Sequence, residues 1–223
     1  MQCFTERYII EVTDITFYTL SMFTVSPSQQ VDPDIVEEAI KYNETLRARY
    51  KKLEDYYLGT HEILNRKKNE LLSNNKVVIN HAKYITDINT GYLLGNPVEY
   101  QSEADIEPVL DQFKMQTIAD LDNEIAKDLS IFGRQYELVY ATEENEVKSK
   151  DIDVRNCVIA YDDTVEHNKV FAVTYELGDK KDTYKKCFVY DANFVYDMVV
   201  GDKIATSSIT QHFFGAVPIV EYR

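Results

Sequence analysis

The sequence predicts an α+β fold, with amphipathic helices first and a meander of antiparallel β-hairpins after them. Two observations carry this. From about residue 34 to residue 132 apolar residues recur every three or four positions, the period of helices packed on one face. After Gly133 the period drops to two, in short β-branched and aromatic runs separated by turn residues. Size and composition agree: 223 residues can bury a sizeable core, and 44% hydrophobic with 28% charged residues is a globular balance.

Residues 1–30 read as an arm without an assigned role. "YIIEVTDITFYTLSMFTV" (8–25) is apolar, but Glu11 and Asp14 interrupt it. It has neither a strongly basic start nor a small-residue cleavage site, which argues against a signal peptide. It is also too interrupted for a membrane span. Its β-branched residues suggest a strand or an irregular packed arm. Residues 31–223 read as one domain, helical over 31–132 and β-rich over 133–223.

The first clear element is a helix over 34–58. Asp32 can cap it, and Pro33 fits the first helical position, where its missing N–H costs nothing. Ile35, Ala39, Tyr42, Leu46, Tyr50, Leu53 and Tyr57 define its apolar face, and Gly59 supplies a left-handed cap. "HEILNRKKNELLSNNK" (61–76) reads as a linker or a short helical turn. A second helix is expected from about Val78 to Leu94, with Ala82, Ile85, Ile88 or Asn89, and Tyr92–Leu93 on one face. Gly91 lies inside it at a cost of about 1 kcal/mol relative to alanine, which suggests close approach by a neighbouring element.

"TGYLLGNPVEY" (90–100) then reads as a helix-to-strand corner. Gly95 ends the helix, Asn96 is pushed out of the α region by Pro97, and Val98 and Tyr100 share one side of an extended segment. Residues 103–132 resume helical periodicity, with Pro108 setting off the first turn. Past Gly133, "QYELVYA" alternates and "TEENE" turns. "CVIAY", "KVFAVTYEL", "YKKCFVYD" and "KIATSSI" supply further strands. "VPIVEY" reads as a strand that leads onward, so the chain reads as the front part of a longer protein.

Charge and composition narrow the function classes. The net charge of −14 argues against gripping nucleic acid over the whole surface, since phosphate binding needs Lys and Arg. An acidic wall can still surround DNA, because repulsion favours sliding over sticking. Seventeen tyrosines, ten phenylalanines and no tryptophan suit half-buried positions, either ordinary core edges or surfaces covered by a partner. Cys3, Cys157 and Cys187 are odd in number and match no zinc or redox spacing, which points to reduced thiols.

No catalytic constellation emerges. His61, His81, His167 and His212 form no H-E-x-x-H motif and no cluster, and the seven glycines are spread singly, so there is no phosphate loop. "YDDTVEH" (161–167) offers Asp162, Asp163 and Glu166 as oxygen ligands for a divalent cation, but Asp-Asp after a strand more commonly makes a turn. "RARYKK" (47–52) and "RKK" (66–68) are the basic concentrations. They can contact phosphates, but beside Glu44 and Glu54 they read as a solvated face with i,i+4 pairs. A small metal-dependent or nucleic-acid-processing enzyme and a stand-alone α+β binding module therefore remain as alternatives to a structural role.

Five stretches in order carry a resemblance: "LEDYYLGTHEIL", "KYITDINTGYLLGNPVEY", "IAKDLSIFGRQYELVY", "VIAYDDT" and "FFGAVPIVEYR". The chain resembles the portal, or head–tail connector, proteins of tailed double-stranded DNA bacteriophages and prophages of Gram-positive bacteria, over roughly residues 32–223. The family-motif positions are Tyr56, Tyr57 and Gly59; Tyr92, Gly95 and Pro97; Gly133, Tyr136 and Glu137; Asp162; and Gly215 and Pro218. The resemblance implies a structural subunit with no enzymatic activity, cofactor or membrane association. Such subunits form a ring, dodecameric in the virion, at one capsid vertex after assembly in the host cytoplasm. DNA passes through the channel non-specifically, driven by terminase, and scaffold and head-completion proteins also bind. The match ends about where family members pass from wing to stem. The chain thus looks like the wing portion, lacking stem, clip and crown.

Overall fold

The structure, a computed structural model, describes residues 22–65, 67, 76–144, 146–178, 184–200 and 204–223. Among these residues the element order is β1 (Phe23–Val25), α1 (Pro33–Leu58), a 3-10 turn (Glu62–Asn65), α2 (His81–Leu94), α3 (Glu107–Met115), α4 (Ile118–Phe132), β2 (Gln135–Ala141), β3 (Val147–Ile152), a second 3-10 turn (Val154–Asn156), β4 (Cys157–Asp162), β5 (Lys169–Leu177), β6 (Tyr184–Tyr190), β7 (Phe194–Val200), β8 (Ile204–Gln211) and β9 (Ile219–Tyr222). The α+β class holds, helices before strands. The basic run 66–68 and Cys3 lie mostly or wholly outside the described residues.

The strands make two sheets. One has six strands in the order β1-β4-β5-β6-β7-β8, the other three in the order β3-β2-β9. Strands β4 to β8 are the expected antiparallel meander. Strand β1 pairs in parallel with β4, placing Phe23 opposite Ala160 and Val25 opposite Asp162. Part of the apolar N-terminal arm is therefore an edge of the main sheet, with Phe23 and Val25 buried in its core.

Every residue of β4 is buried, which marks a strand covered on both faces. On one face, Val158 and Ala160 join Phe171, Val173 and Val189 against Val36, Ala39 and Ile40 of α1. On the other, Cys157, Ile159 and Tyr161 join Phe132, Tyr136 and Ile219. Side chains such as Phe171, Ile40 and Ile219 are fully buried, each contributing about 1.5–3 kcal/mol by leaving water. Helix α1 serves both clusters, since Tyr50 meets Phe132 edge to face at a 5.9 Å centroid separation.

Helix α1 begins and ends as its sequence dictates. The Asp32 carboxylate accepts from the backbone N–H groups of Asp34 and Ile35, Pro33 opens the first turn, and Gly59 closes the helix at φ 79°. Three expectations are corrected. Helix α2 starts at His81 rather than Val78, because the Asn80 side chain caps it by accepting from the Lys83 N–H. The break in 103–132 falls at Gln116–Thr117, where Thr117 adopts φ 51°, and Pro108 sits in the first turn of α3, where proline is tolerated. Residues 97–102 form no strand, because no strand among the described residues offers them a ladder.

Candidate functional site

In "YDDTVEH", Asp162 frames a turn, the reading that the sequence favoured over metal ligation. Asp162 accepts from the Thr164 hydroxyl at 2.6 Å, the Asn168 N–H at 3.0 Å and the Asn168 side-chain amide at 3.2 Å. The Thr164 hydroxyl, aided by Asn168, holds its carboxyl below the usual carboxylate range. With both oxygens engaged, Asp162 organises the β4–β5 connection, in which His167 takes φ 49° and turns Nδ1 to the Asp162 carbonyl at 3.2 Å. Among the described residues no group of three or more His, Cys, Asp or Glu side chains is placed to hold a metal. His212 turns Nε2 to the Asp191 carbonyl at 3.0 Å, while His61 stacks against Tyr56; the described histidines are dispersed.

The chemistry of the chain lies in polar seams between elements. The first joins α1 to the main sheet. The buried Asn43 side chain donates to the Tyr175 hydroxyl at 2.9 Å and to the Arg155 carbonyl at 3.1 Å. Tyr175 in turn donates to Glu44 at 2.8 Å. Arg47 pairs with Glu44 at 2.9 Å and donates to the Arg155 carbonyl at 2.7 Å. Arg155 itself bridges Glu54 at 2.9 Å and Asp153 at 2.6 Å, which holds the Asp153 carboxyl low despite burial. Arg47 therefore does more than solvate a helix face: it ties α1 to the 154–156 turn. Lys51 keeps the expected local pairs with Glu54 and Asp55.

A second seam joins the ends of α1 and α2 through the first motif. The Tyr57 hydroxyl donates to Asp87 at 3.1 Å, and the Asn80 amide donates to the Tyr57 carbonyl at 2.7 Å. Lys83 lies 5.3 Å from the centroid of the Tyr57 ring. Gly59 sits beneath this joint: a Cβ there would come within 3.2 Å of the Asn80 side chain. Tyr56 is more exposed and packs edge to face on His61 at 5.4 Å.

A third seam brings two motifs side by side that lie some eighty residues apart. Strand β2, which carries Tyr136 and Glu137 after the Gly133 cap, pairs with β9, so that Tyr136 faces Glu221 and Glu137 faces Val220. The Pro218 carbonyl accepts from Val139 N–H at 2.9 Å, and the Tyr222 hydroxyl donates to Glu137 at 2.5 Å. The nearly buried Glu221 carboxylate meets Arg134 at 2.9 Å and Arg223 at 2.9 Å, and accepts from the Tyr161 hydroxyl. Burial together with this partner pushes the Tyr161 phenol up. Gly215 adopts φ 69° in the loop before β9.

The structure thus gathers Tyr57 with Gly59, and Tyr136 and Glu137 with Pro218, while Tyr92, Gly95 and Pro97 stand apart from both groups. Gly95 is not left-handed: at φ −62° it lies so close beneath its own helix that a Cβ would meet the Gly91 carbonyl oxygen at 2.4 Å. Among the described residues, nothing lies within 4 Å of where a Cβ on Gly91 would be, so the expected close approach is not seen there. Apart from Ala82, the expected core face of α2 is on the surface. Tyr92 is 92% exposed and Leu93 71%, whereas the inward positions are Ala82, Thr86, Thr90 and Leu94. Thr86 is the buried one, and its hydroxyl accepts from the Ser130 hydroxyl at 3.2 Å.

Asn43, Arg134, Arg155 and Tyr175 were not singled out from sequence. Asn43 carried a signal, a polar residue spaced with Val36, Ala39, Ile40 and Tyr50 on the buried face of α1. A family model described as "Phage portal protein, SPP1 Gp6-like" matches residues 37–223. Comparison with curated proteins finds no match.

Proposed function

Because the chain belongs to the SPP1 Gp6-like family of phage portal proteins, whose members are structural rather than enzymatic, we propose that it forms the wing portion of a portal subunit, with residues 31–223 as the wing and residues 1–30 as an arm leading into it. The observation that carries this reading is the family match, which spans both sheets apart from β1 and most of the helical part, from within α1 to the end of β9. Its subunits assemble around a channel at the capsid vertex, through which DNA is packaged and ejected. Terminase, scaffold and head-completion proteins are its further partners.

The physical features support a mechanical part. Helix α1 is tied to the sheet by a hydrogen-bonded seam at Asn43, Glu44, Arg47 and Tyr175, and to α2 by a second at Tyr57 and Asn80. Polar seams of this kind, fully paired, fix one geometry where apolar packing alone tolerates slippage. A net charge of −14 keeps contact with passing DNA non-specific and weak. The motif positions act in this reading by shaping corners and joints: Gly59, Gly133 and Gly215 by left-handed backbone, Gly95 by close packing, and Asp162 by bracing a turn. No helix among the described residues is long and apolar enough to cross a membrane.

Immunogold labelling of particles from an induced lysogen tests the placement. Antibody against the chain is expected at a single vertex of the shell. Label spread evenly over the shell, or absent from particles, would overturn it.

A further inference from the structure

Where α3 meets α4 the chain leaves an apolar groove. Residues 97–101 close one side of it, and it encloses about 630 Å³. Val98, Tyr100, Leu110, Phe113 and Ile118 supply most of the lining, with Tyr100 set edge to face on Phe113 at 5.3 Å. Val98 and Tyr100 are nearly half exposed, so the hollow faces solvent. An exposed apolar concavity of this size marks a binding surface.

The rim of the groove is acidic and lacks counter-charge. Glu99, Asp120 and Asp122 line it, and none of the three forms an ion pair with a cation among the described residues. Lys114 also lines it, but is engaged by Glu107 at 3.8 Å and Asp111 at 3.4 Å. Partial burial, with Glu137 nearby, pushes the Asp122 carboxyl up. From Glu99 to Asp128 the chain carries nine carboxylates and two lysines, and the second of these, Lys127, is paired with Glu124. Carboxylates crowded in this way around an apolar floor are stabilised by an incoming cation.

We infer that this groove receives a cationic amphipathic helix of another protein, with apolar side chains at i, i+3, i+4 and i+7 in the hollow and Lys or Arg beside Glu99, Asp120 and Asp122. The mostly apolar lining offers few hydrogen-bond partners to a foreign backbone, and a helix satisfies its own. The apolar anchors supply affinity, while the acidic rim sets orientation and choice of partner. A second copy of this chain, at net charge −14, would bring mostly carboxylates to the same rim. The site belongs to this chain whether or not the chain is a portal wing.

Fluorescence anisotropy with the 223-residue chain tests this against three labelled peptides of about five helical turns. One is an amphipathic helix of leucine and lysine, the second replaces every lysine by glutamine, and the third scrambles the first so that its composition stays and its apolar face is lost. The leucine–lysine helix is expected to bind at least about tenfold more tightly than either control, and more weakly as salt rises. Asp120→Asn with Asp122→Asn is expected to weaken it about fivefold and to flatten the salt dependence. Val98→Ser with Tyr100→Ser removes apolar wall without adding charge and is expected to weaken it about tenfold. Melting curves check that each variant folds, and Tyr100→Ser alone replaces the pair if that pair does not. Equal binding of the scrambled peptide would reduce the effect to general attraction by an acidic chain, and equal binding of the glutamine peptide would remove the preference for a cation. Either result, absence of binding, or variants that bind as wild type would overturn the inference. So would self-association in sedimentation that the Val98 and Tyr100 substitutions abolish, which would assign the groove to a second copy.

Discussion

The Tyr175 hydroxyl, on strand β5, donates to the Glu44 carboxylate, on helix α1, at 2.8 Å across 131 residues of sequence. The same oxygen receives the Asn43 amide, so one phenol fixes the helix to the sheet in both position and rotation. Tyr175→Phe and Asn43→Ala are each expected to lower stability by about 1–2 kcal/mol, since each removes buried hydrogen bonds while the Tyr175 hydroxyl (in Asn43→Ala) keeps Glu44 and the Arg155 carbonyl keeps Arg47. Urea denaturation measures both, and unchanged midpoints would deny the seam its role.

The glycines divide into opposite classes. Gly59→Ala forces an L side chain into φ 79° and crowds Asn80, and is expected to cost about 1–2 kcal/mol. Gly91→Ala fills open space inside α2 and is expected to add about 0.5–1 kcal/mol through helix propensity. Gly95→Ala collides with the Gly91 carbonyl and is expected to destabilise, although Gly95 has an ordinary helical φ. Thermal melts of the three variants rank them directly.

Asp128 gives the stability a pH dependence. Burial, reinforced by Glu124, Asp151 and Asp153, raises its carboxyl to about 6. The folded value lies above the unfolded one of about 3.9. Its contribution is therefore full below pH about 4 and is lost as pH rises through about 6. Asp128→Asn is expected to stabilise at pH 8 by up to about 1 kcal/mol after allowance for solvent screening, and to change nothing near pH 4. Denaturation at the two pH values checks the sign, and a uniform effect would contradict it.

Glu221 joins β9 to β2 and β4 through Arg134, Arg223 and Tyr161. Glu221→Gln leaves the mostly buried Arg134 without its counter-charge and is expected to cost about 3 kcal/mol. Hydrogen exchange should show the loss concentrated in β9 and β2. Uniform protection across both sheets would argue against the seam.

The sequence made helix α1 and the helix-to-strand switch legible because both rest on local chemistry. Asp32-Pro33 can only open a helix cheaply, Gly59 and Gly133 can close one, and the period changes immediately after Gly133. What escaped was set by distant partners. Periodicity located the apolar stripe of α2 but could not say what covers it, so Ile85, Ile88 and Tyr92 were expected in the core and lie on the surface. Val98 and Tyr100 have strand-like spacing but no strand beside them, and instead wall a groove with Phe113. The division into two sheets depends on β9 choosing β2, a pairing fixed by Glu221 and Pro218 rather than by any local pattern. The turn at Asp162 was legible in kind, and its saturation by Thr164 and Asn168 needed coordinates.

Electron microscopy of the purified complete gene product decides the matter. A portal subunit predicts ring-shaped particles with a central channel, cyclic symmetry near twelvefold, and wings at the periphery into which residues 31–223 fit as one body. A preparation that remains monomeric at every salt and protein concentration, or that forms only two-fold dimers, would contradict the assignment.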